Sequence, residues 1–142
     1  MDLSRTIPRS PNQKMAGLAH LGRMIDKGRA FKEKKLGDYI YPCPLDKIIL
    51  NFLRIEAENF ANMTIEKKDD EIFDWAKELI ESKSPKKLNL INEKILERKP
   101  DSEDRLNYFI EIRNKIDPSR SDVTTWVDLL DLEEGQLSSK PS

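Results

Sequence analysis

Three of the chain's five glycines, Gly17, Gly22 and Gly28, fall inside one stretch that otherwise reads as helix, AGLAHLGRMIDKGRAFKEKK. Each costs about 1 kcal/mol against alanine in a helix interior, so some other interaction must offset roughly 2 to 3 kcal/mol. Close approach is the natural offset, because a helix face without a Cβ can sit against another backbone or a bound group. The segment is therefore expected to be tightly packed or shaped around a ligand.

The residues around those glycines predict a long first helix. Ser10-Pro11-Asn12-Gln13 matches a capping box, with Ser10 as N-cap, Pro11 at the tolerated first position and Gln13 reaching back. The helix is expected to follow an extended arm, run to about Lys35 and stop at Gly37. On a helical wheel Leu18, Leu21, Met24, Ile25 and Phe31 make one apolar arc with Gly17 and Gly28 inside it. His20, Arg23, Lys27 and Lys34 form a basic stripe beside that arc, and Asp26 lies three residues from both Arg23 and Arg29.

A second helix is expected after Pro42-Cys43-Pro44, with Leu45, Ile48, Ile49, Phe52 and Leu53 at helical spacing. A short amphipathic turn or two should span Ile55 to about Met63. Asp69 or Asp70 then caps a helix carrying Ile72, Phe73, Ala76, Leu79 and Ile80. Ser84-Pro85 repeats the signature of a cap followed by proline, and Pro100 ends that helix. Asp101 or Ser102 starts another that closes at Pro118, and Ser121 or Asp122 opens the last, which stops by Gly135. Clean period-two strand patterns are missing, so an all-α bundle of about six helices is predicted, with room for a minor strand pair near Tyr39 to Tyr41. The expected organisation is one compact domain over residues 1–135 with an extended N-terminal arm, followed by a disordered tail over 136–142.

A chain of 142 residues is long enough for one substantial core. Near-equal hydrophobic and charged fractions, 37% and 36%, favour a small, highly charged helical protein over disorder. The single cysteine, Cys43, excludes an internal disulfide. The N-terminus lacks the apolar core of a signal peptide, and apolar runs stay short of membrane-spanning length, so the cytosol is the expected compartment and no membrane partner is predicted. A formal net charge of −1 argues against a general nucleic-acid binder. The charge is nevertheless unevenly placed: residues 1–35 carry nine Lys/Arg against three acids, whereas Asp122 to Gly135 carries five acids and no base. Either the two ends meet in the fold, or the first presents a basic face to an acidic partner.

Three polar sets could carry chemistry. Cys43, read as N-cap of the second helix, would place a thiol at the positive end of a helix dipole, with Asp46 serving the same helix start. A nucleophilic role needs a base, and the only imidazole, His20, sits on another helix. His20, Arg23, Asp26, Lys27 and Arg29 form the second set, since arginine forks recognise carboxylate or phosphate and a nearby Asp can hold one in place. The third is the run Asp122 to Asp131, where Asp122, Thr125 and Asp128 share a helix side beside Trp126. No metal is expected from one His and one Cys without a carboxylate–histidine pair, and no cofactor from a chain without a phosphate-cradling glycine loop.

The segments Ile7-Pro8-Arg9-Ser10-Pro11, His20 to Lys27, Tyr39 to Asp46 and Asp122 to Asp131, in that order, carry a resemblance. On them the chain resembles the bacterial proteins grouped as domain of unknown function 5069, over nearly its whole length. That resemblance implies a bacterial cytosolic protein and brings no established activity. Where similar sequences tend to read His-Leu-Pro-Arg, this one reads His20-Leu21-Gly22-Arg23, which raises a helix start at Arg23 as the alternative to Ser10.

The leading functional expectation is a non-enzymatic binding or adaptor protein. In it the first helix and the Trp126 helix build a polar groove for an acidic partner protein or a small anion. Its candidate residues are His20, Arg23, Asp26, Lys27, Arg29, Cys43, Asp46, Asp122, Trp126 and Asp128. The alternatives are an enzyme using Cys43, with Arg23 and Lys27 holding an anionic substrate, and an RNA- or ribosome-associated factor using the basic arm. Nucleic acid is thus a possible partner but not the favoured one.

Overall fold

The computed structural model describes residues 1–139. They form a helical bundle with one small hairpin. In chain order the elements are β1 (Lys14–Met15), β2 (Leu18–Ala19), α1 (Leu21–Lys32), α2 (Pro44–Leu53), α3 (Ala57–Glu66), α4 (Asp69–Glu81), α5 (Pro85–Leu96), α6 (Glu103–Ile116) and α7 (Trp126–Glu133). Seven helices stand where about six were expected, because the segment after Ile55 forms a full helix, α3. None of the described helices is long and apolar enough to cross a membrane.

The first helix does not begin at Ser10. Ser10 Oγ accepts from the Asn12 N–H at 3.0 Å, closing a short hydroxyl-backbone turn instead of capping a helix. The chain then turns back through β1 and β2, an antiparallel pair in register Lys14↔Ala19 and Met15↔Leu18. Ala16 and Gly17, at φ 55° and 80°, make the two-residue turn between them, and this positive φ explains Gly17 without any helix penalty. Buried Asn92 of α5 clamps the hairpin, accepting from the Ala19 N–H and donating to the Gly17 carbonyl, both at 2.9 Å. His20, at φ 70°, swings the chain into α1. The strand pair near Tyr39 to Tyr41 does not form; that stretch is turn and irregular backbone.

The two remaining glycines of the opening stretch do allow close approach. A Cβ on Gly28 would lie 3.1 Å from Thr64 Cγ2 and 3.6 Å from Ala61 Cα, so its absence lets α3 press against α1. A Cβ on Gly22 would lie 3.2 Å from Arg9 Nε, so Gly22 opens a channel for the Arg9 side chain.

Helix α1 is the centre of the molecule. Its apolar arc, Leu21, Met24 and Ile25, is fully buried against Ile49 of α2, Phe60 of α3 and Ile72 of α4. Phe31, at its end, is only partly buried and packs on Tyr41, ring centroids 5.3 Å apart. A second, smaller apolar cluster joins α6 to α7 through Phe109, Val123 and Leu129, with Trp126 set edge-on to Phe109 at 5.1 Å. Phe109 is the one residue of α6 that is buried; Leu106 and Ile116 are exposed.

Two helix starts differ from expectation by a few residues. The N-cap of α4 is Lys68, and that of α7 is Thr125, whose hydroxyl accepts from the Asp128 N–H, so the helix opens after Asp122. Of the expected tail, residues 140–142 lie outside the described residues. Residues 136–138 are held in place: the Gln136 and Leu137 N–H groups donate to the Asp131 carbonyl, and Gln136 Nε2 donates to the Pro8 carbonyl. Arg120 donates to the Ser138 carbonyl at 3.1 Å.

Candidate functional site

The polar residues of α1 divide between two of its sides. Asp26 and Arg29 face the arm and α4. Arg9 crosses over Gly22 and donates to both carboxylate oxygens of Asp26, from NH2 to Oδ1 at 3.0 Å and from Nε to Oδ2 at 3.1 Å, while its backbone N–H donates to Oδ2 at 2.8 Å. The remaining NH1 donates to Asp69 at 3.0 Å. Arg29 pairs with Asp69 at 2.7 Å and donates to the Thr64 carbonyl at 2.9 Å. This set is a closed ion-pair network that ties the arm to α1 and α4.

His20, Arg23 and Lys27 share the other side. Arg23, 3% exposed, forms a two-pronged pair with Glu134 just past α7, at 2.8 and 2.7 Å, and lies over the Tyr39 ring. Tyr39 donates to the same carboxylate at 2.9 Å. Burial and that carboxylate push its phenol up to about 12. The basic first segment and the acidic last one thus meet inside the fold. Further along the same seam, Ser10 donates to Asp131 at 2.6 Å, and Asn12 donates to both Asp131 and Asp128.

Two turns apart, at the N-cap and in the middle of α1, His20 and Lys27 converge on Asp46 and Cys43 at the start of α2. Pro44 occupies the first helical position, Cys43 is the N-cap, and Asp46 reaches back to accept from the Cys43 N–H at 2.9 Å. The same carboxylate, fully buried, lies 2.6 Å from His20 Nε2 and accepts from Lys27 Nζ at 2.7 Å. Lys27 Nζ is also 3.1 Å from Cys43 Sγ. Burial acts to raise the Asp46 pKa, but the bonds from His20 and Lys27 outweigh it and hold the carboxyl down at about 2. The thiol is shifted the same way. Burial and the Asp46 charge push it up, yet the His20 ring, the Lys27 charge and the Asp46 N–H bring it below its ordinary value.

Two features mark this cluster as more than a structural pair. His20 Nδ1 is buried without a hydrogen-bond partner among the described residues. His20, Lys27 and Cys43 of the cluster also line a cavity of about 570 Å³, together with Ile7, Tyr39, Ile40, Leu45 and Leu130. Cys43 is half-buried at that wall.

A count of one His and one Cys understated the donor set for a metal. Asp46 supplies a third donor, and one atom each from His20, Cys43 and Asp46 lie within 4.8 Å of one another. The Lys27 ammonium, however, already sits on both the carboxylate and the sulfur, so a metal ion would have to displace it.

The third sequence set lies elsewhere. Asp128 lines a second, polar cavity together with Asp122 and Asp131, where Asp122 is paired with Arg120 at 3.0 Å. Trp126 belongs to the smaller apolar cluster and faces neither cavity. Arg9, Tyr39, Asp69 and Glu134 were not among the candidate residues, while Asp131 closed the third set. The charge contrast between the chain's two ends was the signal that pointed to Glu134 and Asp131. Long-range pairs such as Arg9 with Asp69 leave no local pattern.

No curated protein matches the sequence. The model of one family does, over residues 5–136, and the chain therefore belongs to the family described as domain of unknown function (DUF5069).

Proposed function

We propose that this chain is an enzyme acting by covalent catalysis through the Cys43 thiol on a small substrate bound in the adjoining cavity. The observation that carries this reading is the convergence of His20, Lys27 and Asp46 on one half-buried thiol at a helix N-terminus. In an acyl transfer, the Cys43 sulfur would form an S–C bond to the substrate carbonyl carbon, and the bond from that carbon to the leaving group would break. The leaving group departs with its electron pair and the proton supplied by the thiol. Water or another acceptor then attacks the thioester, takes the acyl group and returns a proton to sulfur. A ring nitrogen of His20 lies within 4.8 Å of Sγ, near enough to carry that proton once substrate tightens the site. Asp46 orients the imidazole, and Lys27 favours the thiolate.

The reading as a binding or adaptor protein for an acidic partner or small anion needs cations free to receive the charge. Arg23 is held by Glu134, Lys27 by Asp46, Arg29 by Asp69, and Arg9 by both Asp26 and Asp69. The basic arm offered to RNA likewise has Arg9 occupied. These pairings favour thiol chemistry over anion capture.

The test is a pre-steady-state assay with p-nitrophenyl esters and acyl thioesters. A burst of leaving group equal to the protein concentration is expected, with an acyl adduct on Cys43 by intact mass. Cys43→Ala abolishes both, and His20→Asn slows the acylation by about 100-fold or more. A rate in Cys43→Ala equal to that of the parent chain would overturn the proposal.

A further inference from the structure

We infer that the Cys43 cavity selects electrophiles with an apolar body and a positive charge, and disfavours anionic ones. The inference rests on the thiol reading above and names its substrate class.

Much of the lining is apolar: Leu45 is buried, Leu130 half-buried, and Ile7 and Ile40 stand 51% and 69% exposed. Exposed isoleucines at the rim of a cavity gain by covering an apolar ligand. The charged lining is asymmetric. Its two cations, Arg23 and Lys27, each face a carboxylate within 2.7 Å. Asp38 and Glu133, exposed on the same lining, have no such cation against them among the described residues. An incoming ligand therefore meets, on the same lining as the thiol, negative charge that no described cation pairs. His20 lines the cavity and is 99% buried, with Nδ1 unpartnered among the described residues, and it marks the polar end where the reacting group would sit. An anion would have to displace Glu134 from Arg23 or Asp46 from Lys27; a cation displaces nothing.

Methanethiosulfonates of matched size but different charge test this directly, since each converts Cys43 to a mixed disulfide and releases methanesulfinate. The readout is the rate of mass gain in the native chain, normalised to the urea-unfolded chain, which removes the reagents' intrinsic differences. The trimethylammonium reagent is expected to exceed the sulfonate reagent by about tenfold after normalisation, a preference that fades at high salt. Among neutral reagents, benzyl is expected to exceed methyl by a similar factor. Asp38→Asn combined with Glu133→Gln lowers the charge preference towards one, and Ile40→Ser lowers the benzyl preference.

A normalised preference for the sulfonate, or none for either charge, overturns the inference and leaves the thiol reading standing. A native thiol that reacts with none of these reagents overturns both.

Discussion

Helix α1 carries two charge clusters, each centred on a buried aspartate, and they differ in what each leaves available. Around Asp26, each carboxylate oxygen accepts from Arg9, and the remaining arginine donors end on Asp69 or backbone carbonyls. Around Asp46, the carboxylate is equally satisfied, but its partners are a histidine with an idle nitrogen and a lysine leaning on a thiol beside a cavity. Ion pairing alone therefore does not mark a site. A reactive group left half-buried next to it does.

The sharpest way to break the comparison is to remove each carboxylate in turn. Asp46→Ala strands the Lys27 ammonium in a fully buried position and should destabilise the fold by about 3 to 5 kcal/mol in urea unfolding. Asp26→Ala leaves Arg9 with Asp69 and partial access to water, so a smaller loss of about 2 kcal/mol is expected. Equal losses would mean that the two clusters do not differ in burial as described.

Acid unfolding sharpens the same contrast. Asp46 is held at about 2 against an ordinary 3.8, so its contribution is fully present above about pH 4 and is lost as pH falls towards 2. That contribution is of order 2 kcal/mol, and urea midpoints measured from pH 5 to pH 2 should show a loss in the parent chain larger by about that amount than in Asp46→Asn, where Asp69 and other carboxylates still titrate. Lys27→Met should raise the thiol pKa and slow iodoacetamide labelling at pH 7 by about tenfold, whereas Arg29→Met on the other side should leave labelling unchanged. The smallest effect belongs to Gly22→Ala. Its Cβ would meet only the flexible end of Arg9, so the gain in helix propensity and the push on that side chain should leave a net change within about 1 kcal/mol in thermal unfolding.

Much of the bundle was legible because caps, prolines and apolar spacing are local signals. Pro44, Pro85 and Ser102 mark helix starts where the structure has them. The first helix was misread because Ser10-Pro11-Asn12-Gln13 satisfies a capping pattern, while the residues that decide otherwise are distant: Asn92 clamps the hairpin and Asp131 takes the Ser10 hydroxyl. Gly22 and Gly28 do admit a close neighbour, Arg9 and α3, whereas Gly17 serves a turn through its positive φ.

At the site, the residue types were visible but their grouping was not. Helical spacing put His20, Arg23 and Lys27 on one stripe, and Cys43 and Asp46 on one helix start. What sequence could not supply was the crossing of α1 with α2 that sets Lys27 Nζ 3.1 Å from the sulfur. The unlike charges of the two chain ends did foreshadow the Arg23–Glu134 pair, since a buried arginine is stable only with a carboxylate brought to it.

The pH dependence of iodoacetamide labelling at Cys43, followed by intact mass on the native chain, tests the central claim most directly. The labelling midpoint is expected below the ordinary thiol value, moving upward in Lys27→Met. A midpoint at or above that value, unmoved by Lys27→Met, would contradict it.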